Sequence, residues 1–150
     1  MSVLAREYTD LDRALDEVRS VLEEWSTSQA EPAAPNDETV RYTQLVLHEW
    51  IANLLQHADF QDRSPAIEIR LQTENRHIIC AVTDNSEGFD FAERLPTKEE
   101  MMDDLPERGM GLRIINACTD SLSYTSTEAG RHRFEFTIPA DHDPWLSMLF

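Results

Sequence analysis

The chain has 150 residues, 41% of them hydrophobic, which is enough for one packed domain over 1–150 and excludes compositional disorder. Its 29 acidic against 13 basic residues leave a formal charge of −16, which argues against a nucleic-acid face built on clustered Lys and Arg. No apolar run approaches the roughly 20 residues of a membrane span and no signal peptide is recognisable, so a soluble, cytoplasmic protein without direct membrane contact is expected.

From Thr9 to about Ser28, Leu11, Leu15, Val18, Val21, Leu22 and Trp25 recur with a helical period, and Asp10 or Thr9 can cap the start. The stretch QAEPAAPN (29–36) is a linker too short to divide domains. A second helix is predicted from Asp37 to about Asp59. IEIRLQ (67–72) and HIICAVTD (77–84) are strands joined through TENR as a hairpin. Residues 91–108, with Pro96 and Pro106, form a mobile loop carrying at most one short helix. A helix follows over about Gly111–Asp120, then strands over 121–127 and 131–139 around a turn at Glu128–Gly130. This order predicts an α+β fold, an antiparallel or mixed sheet with helices on one face. Cys80 and Cys118 sit among apolar neighbours, as reduced core thiols do; no Cys/His cluster suggests a metal site. The skew to arginine, with Lys98 the only lysine, fits a high-salt cytoplasm or a GC-rich genome.

The second helix is apolar over most of its circumference: Leu45, Val46, Leu47, Trp50, Ile51, Ala52, Leu54, Leu55 and Ala58. Such a helix is expected to be largely buried. Glu49, Asn53 and His57 nevertheless fall at i, i+4 and i+8, along one line. Spacing alone makes that line a solvent edge. Its chemistry suggests more, because a carboxylate at a cavity edge can take a proton and a carboxamide oxygen suits Mg²⁺. His48-Glu49 begins like the zinc motif HExxH, but Ala52 stands where the second ligand belongs.

Downstream, VTDNSEGFDF (82–91) drives a buried-looking strand into Asp84 and then breaks it. Either this is a surface hairpin or the strand delivers a carboxylate into a pocket, with Gly88 admitting a ligand to the backbone. In ERGMGLRIINACTD (107–120), Gly109 and Gly111 open a helix whose first N–H groups make an anion site, with Arg108 and Arg113 adding charge. In so acidic a chain, a polyanion such as a nucleotide needs such N–H groups and a bridging cation.

Glu49-x-x-x-Asn53, Asp84-x-x-x-Gly88-Phe89-Asp90 and Gly109-Met110-Gly111-Leu112, in that order, resemble the N, G1 and G2 boxes of the ATPase superfamily of sensor histidine kinases, type II topoisomerases and MutL. NLLQHA after the glutamate and GFDF before RGMGL look most like the anti-sigma-factor serine kinase branch. The resemblance spans about residues 9–139 and implies a two-layer α/β sandwich of Bergerat type, with ATP between the helices and a mixed, mostly antiparallel sheet. It also implies roles. Asn53 holds Mg²⁺, Glu49 is the catalytic base toward the attacking hydroxyl, and Asp84 accepts from the adenine amino group. Gly88 admits the purine, residues 91–108 form a lid, and Arg108, Gly109, Met110, Gly111 and Leu112 surround the phosphates. His57 matches a family position that supports the helix more often than it touches ligand. Ser86 departs from the family, standing where the first glycine of Asp-x-Gly-x-Gly belongs, so a narrower purine pocket or a stiffer turn is expected.

The function implied is an ATP-dependent serine/threonine protein kinase that sequesters a sigma factor or similar regulator and phosphorylates an anti-sigma antagonist. The alternative is a non-catalytic, nucleotide-tuned partner-switching module of the same fold. The catalytic domain of a histidine kinase fits less well, since no histidine precedes residue 37. The apolar tail DHDPWLSMLF (141–150) either folds back on the domain or serves an interface such as a homodimer contact.

Overall fold

The structure, a computed structural model, describes residues 3–29, 34–88 and 110–140, with backbone alone at 110–113. The expected lid over 91–108 and the apolar tail over 141–150 lie outside the described residues, as do Arg108 and Gly109.

Strand β1 (Leu4–Tyr8) leads into helix α1 (Leu11–Thr27), and α2 (Asp37–His57) follows. Then come β2 (Ile67–Glu74), β3 (His77–Asp84), α3 (Met110–Cys118), β4 (Ser121–Ser126) and β5 (His132–Ile138). The five strands form one sheet in the order β1-β2-β3-β5-β4, and every neighbouring pair is antiparallel. β3 and β4 therefore run parallel with β5 between them, and α3 lies on the connection that joins them. The expected α+β architecture is present. Its parallel component is confined to strands that are not neighbours.

Residue alternation decides which face of the sheet meets the helices. Ile67, Ile69 and Leu71 of β2, Ile78, Cys80 and Val82 of β3, and Phe134, Phe136 and Ile138 of β5 all point into one core with α1, α2 and α3. The opposite face carries Glu68, Arg70, Arg133 and Glu135, which pair within their own strands. One wet face and one packed face define a two-layer sandwich.

Asp10 caps α1: its Oδ1 accepts from the N–H groups of Asp12 and Arg13 at 3.0 and 3.3 Å. Leu11, Ala14, Val18, Leu22 and Trp25 form its buried stripe. Asn36, the last linker residue, caps α2 by accepting from the N–H and hydroxyl of Thr39 at 2.7 and 2.8 Å. The β2–β3 hairpin is tighter than TENR suggested. Glu74 pairs with His77, leaving a two-residue turn of Asn75 and Arg76, both left-handed at φ 51 and 68.

Two elements depart from expectation. β1 was not foreseen, because LAREY offers only Leu4 and Tyr8 to the core; Arg6 and Glu7 are the charges that blunt an edge strand. Nor is α2 buried all round: Leu45 and Leu55 are exposed on its outward face, since a two-layer fold has no third layer to cover them.

Candidate functional site

Helix α2 is held to the sheet by Trp50, which is fully buried, stacks on Phe134 of β5 (centroids 4.0 Å, 19°) and meets Tyr124 of β4 edge-on at 5.3 Å. At 100° per residue, Asn53 lies about 60° and Glu49 about 100° round the helix from Trp50, on the same side. Both are partly buried, at the margin of the packed stripe, while His57 is exposed. The expected line is thus divided: Glu49 and Asn53 border the core and His57 does not.

Asn53 is oriented as well as placed. Its Nδ2 donates to the Glu49 carbonyl at 2.9 Å, and a carbonyl can only accept, so the amide nitrogen faces the helix. Oδ1 faces away and has no hydrogen bond among the described residues. Its orientation fits the cation-holding role.

β3 ends on Asp84, which pairs with Ile67 of β2 and His132 of β5 on the helix-facing side of the sheet. Asp84 is fully buried. Its Oδ1 accepts from the Ser86 N–H at 2.9 Å and the Ser86 hydroxyl at 2.5 Å. Its Oδ2 is buried with no partner among the described residues. A buried acceptor without a donor is uncommon and calls for a reason. It fits a ligand's N–H.

The turn after Asp84 is fixed from several sides. Asn85 accepts from the Ala66 N–H and donates to the Ser64 carbonyl, both at 2.9 Å. The Glu87 N–H donates to the Asp59 carbonyl at 2.8 Å, tying the turn to the chain just past α2. Glu87 also pairs with Arg63. The Ser86 carbonyl lies 3.1 Å from His132 Nδ1, which must therefore carry the proton. The same imidazole stacks near Tyr124 at 5.6 Å, continuing the aromatic column from Trp50.

Gly88 has φ +79, and a Cβ there would come within 2.6 Å of His132 Nε2. Glycine is thus required here by backbone and imidazole, independently of any purine. Ser86, which departs from the family, is buried and bonded to both Asp84 and the Gly88 N–H. It is absent from the residues with positive φ, so its Cβ carries no backbone penalty.

α3 begins at Met110, so Met110, Gly111 and Leu112 supply the N–H groups of its first turn. Asn85 and His132 were missed in the sequence. Asn85 had a signal, an Asx residue beside a strand end; His132 had none, because its role depends on a cross-strand pair 48 positions away, with Asp84.

The thiols are inert. Cys80 and Cys118 are both buried and free. Burial pushes the Cys118 thiol up to about 11. Burial, helped by the Glu135 charge, raises Cys80 well above its ordinary value.

A two-layer sandwich whose central strand ends on a buried carboxylate beneath a helix with Glu and Asn on its flank is the Bergerat type of ATP-binding fold. The histidine kinase-like ATPase domain profile matches residues 8–132, and the chain belongs to that family, whose domains bind ATP. Comparison with curated proteins finds no match. Among the described residues no helix is long and apolar enough to cross a membrane.

Proposed function

We propose that the protein is an ATP-dependent serine/threonine protein kinase of the anti-sigma-factor type. In this reading it sequesters a sigma factor or similar regulator and phosphorylates the antagonist that displaces it, with a homodimer as a further possible assembly. The observation that carries the reading is the buried, unpartnered Asp84 Oδ2, on a turn tied through the Glu87 N–H to the Asp59 carbonyl just past α2.

Each residue has a task. Asp84 accepts the adenine amino N–H, and Gly88 closes the turn beside it. Asn53 would hold Mg²⁺ through Oδ1, the hard oxygen ligand that this ion prefers. Mg²⁺, when bound, would neutralise charge building on the phosphates. Glu49 accepts the proton of the attacking serine or threonine hydroxyl. The N–H groups of Met110, Gly111 and Leu112, with Arg108 and Gly109 before them, meet the phosphates.

Incubation with Mg-ATP and candidate antagonists is expected to yield phosphoserine or phosphothreonine, and Glu49→Ala to abolish it. An equally active Glu49→Ala would remove Glu49 as base. A second reading rests on Ser86, whose hydroxyl already occupies one Asp84 oxygen. In it the domain binds nucleotide only to tune partner affinity. Calorimetry separates the two: tight Mg-ATP binding without phosphoryl transfer to any antagonist favours the second reading.

A further inference from the structure

Among ionisable side chains with described surroundings, Asp84 alone is fully buried with a carboxylate oxygen lacking a partner, and the cause lies two residues away. Ser86 is 1% exposed and bonds in two directions. Its hydroxyl proton goes to Asp84 Oδ1 at 2.5 Å, and its oxygen accepts the Gly88 N–H at 3.0 Å. Its own N–H also goes to Asp84 Oδ1, at 2.9 Å. One carboxylate oxygen therefore holds two donors and the other holds none among the described residues.

This asymmetry constrains the carboxylate. The terminal torsion of an aspartate is broad, so a carboxylate without fixed partners tilts its plane and shifts both oxygens. Two donors on Oδ1 resist that tilt, because turning the plane part-way would stretch both bonds. His132 secures Ser86 in turn by donating from Nδ1 to the Ser86 carbonyl, and it fills the space that a side chain at residue 88 would need.

We propose that Ser86 is a positioning residue that locks the Asp84 carboxylate, so that Oδ2 is the single acceptor offered to the ligand and 6-amino purines are selected over 6-oxo purines. The inference rests on the reading of Asp84 as the base anchor and adds the device that orients it. A 6-amino group places an N–H donor on Oδ2 and satisfies a buried acceptor. A 6-oxo group sets oxygen against oxygen, and the locked carboxylate cannot turn away to relieve the contact.

The test compares the full-length protein with Ser86→Ala and Ser86→Gly, titrating each with Mg-ATP and Mg-ITP, which differ at C6 in amino against oxo. The readout is the ratio of the two dissociation constants within each variant, because a loss of folded protein changes both alike and cancels. The wild type is expected to favour ATP by about tenfold or more, the worth of one hydrogen bond to a charged group. Both variants should lower that ratio by about fivefold, the net worth of one ordinary hydrogen bond. An unchanged ratio in either folded variant, even with a lower Tm, overturns the proposal and makes Ser86 a brace of the turn only. Should Ser86→Ala fail to fold, Ser86→Gly decides, since glycine is the family's own residue there. Asp84→Asn separates the two layers of argument. If it keeps the wild-type ratio, or if wild type binds both nucleotides equally or neither, the reading of Asp84 fails and this inference with it.

Discussion

Two turns at the same end of the sheet contain a left-handed glycine, and they use it differently. Gly130, between β4 and β5, has φ +76, and nothing lies within 4 Å of where its Cβ would be. Gly88, after β3, has nearly the same φ of +79, but its Cβ would strike His132. The first turn only reverses the chain, with Thr127 and Arg131 closing it at 2.7 Å. The second is fixed by His132, Ser86, Asn85 and the Asp59 carbonyl, and it ends a strand on a buried carboxylate. Nearly equal φ values thus accompany a connector in one place and a braced turn at a buried carboxylate in the other. The surroundings of a glycine, more than its φ, separate the two.

The largest effect that could break this contrast is on Gly88 itself. Gly88→Ala should cost about 2–4 kcal/mol, combining left-handed strain with displacement of the imidazole and loss of its bond to Ser86. Adding His132→Ala should return the cost of the alanine at 88 to the backbone share alone, about 1–2 kcal/mol. Urea unfolding of the four members of this cycle measures the coupling. Simple additivity would show that the imidazole does not constrain residue 88.

Next in size is Asp84→Asn. The amide presents one donor and one acceptor where the carboxylate presents two acceptors. Mg-ATP affinity should fall by about tenfold to a hundredfold, while the folded baseline in far-UV circular dichroism stays intact. Full retention of affinity would reduce the Asp84 turn to the status of the Gly130 turn.

Much of this contrast could be read in the sequence, and the reason is that it is local. The strand running into Asp84, the helix bearing Glu49 and Asn53, and the glycine start of α3 are short-range patterns of period, polarity and punctuation. Ser86 was visible as a departure from a motif. What it does was not, because its effect depends on hydroxyl geometry at a 2.5 Å contact. His132 could not be foreseen at all, since only the β3–β5 register brings it opposite Asp84. β1 escaped for a related reason: as an edge strand it buries too little to impose alternation. The exposure of Leu45 and Leu55 followed from layer count, which one helix's composition does not encode.

A smaller effect is expected at the other turn. Gly130→Ala should cost about 1–2 kcal/mol, all of it backbone strain, and His132→Ala should leave that cost unchanged. Dependence on residue 132 would mean that the two turns are coupled across the sheet end, and the contrast between them would weaken.

The smallest effect concerns the conditions under which the two glycine variants can be compared. Cys118 has its thiol raised from 9.0 to about 11 by burial, and burial also holds Cys80 well above its ordinary value. A raised thiol favours folding in its neutral form, so this stability is fully present below the unfolded value near 9.0 and is lost as pH rises through about 11. Both thiols belong to the core and neither touches residue 88 or 130. The Tm of wild type, Gly88→Ala and Gly130→Ala should therefore fall together from pH 9 to 11 while the difference between the two variants holds. A difference that changes with pH in that window would place a titrating group in one turn and not the other.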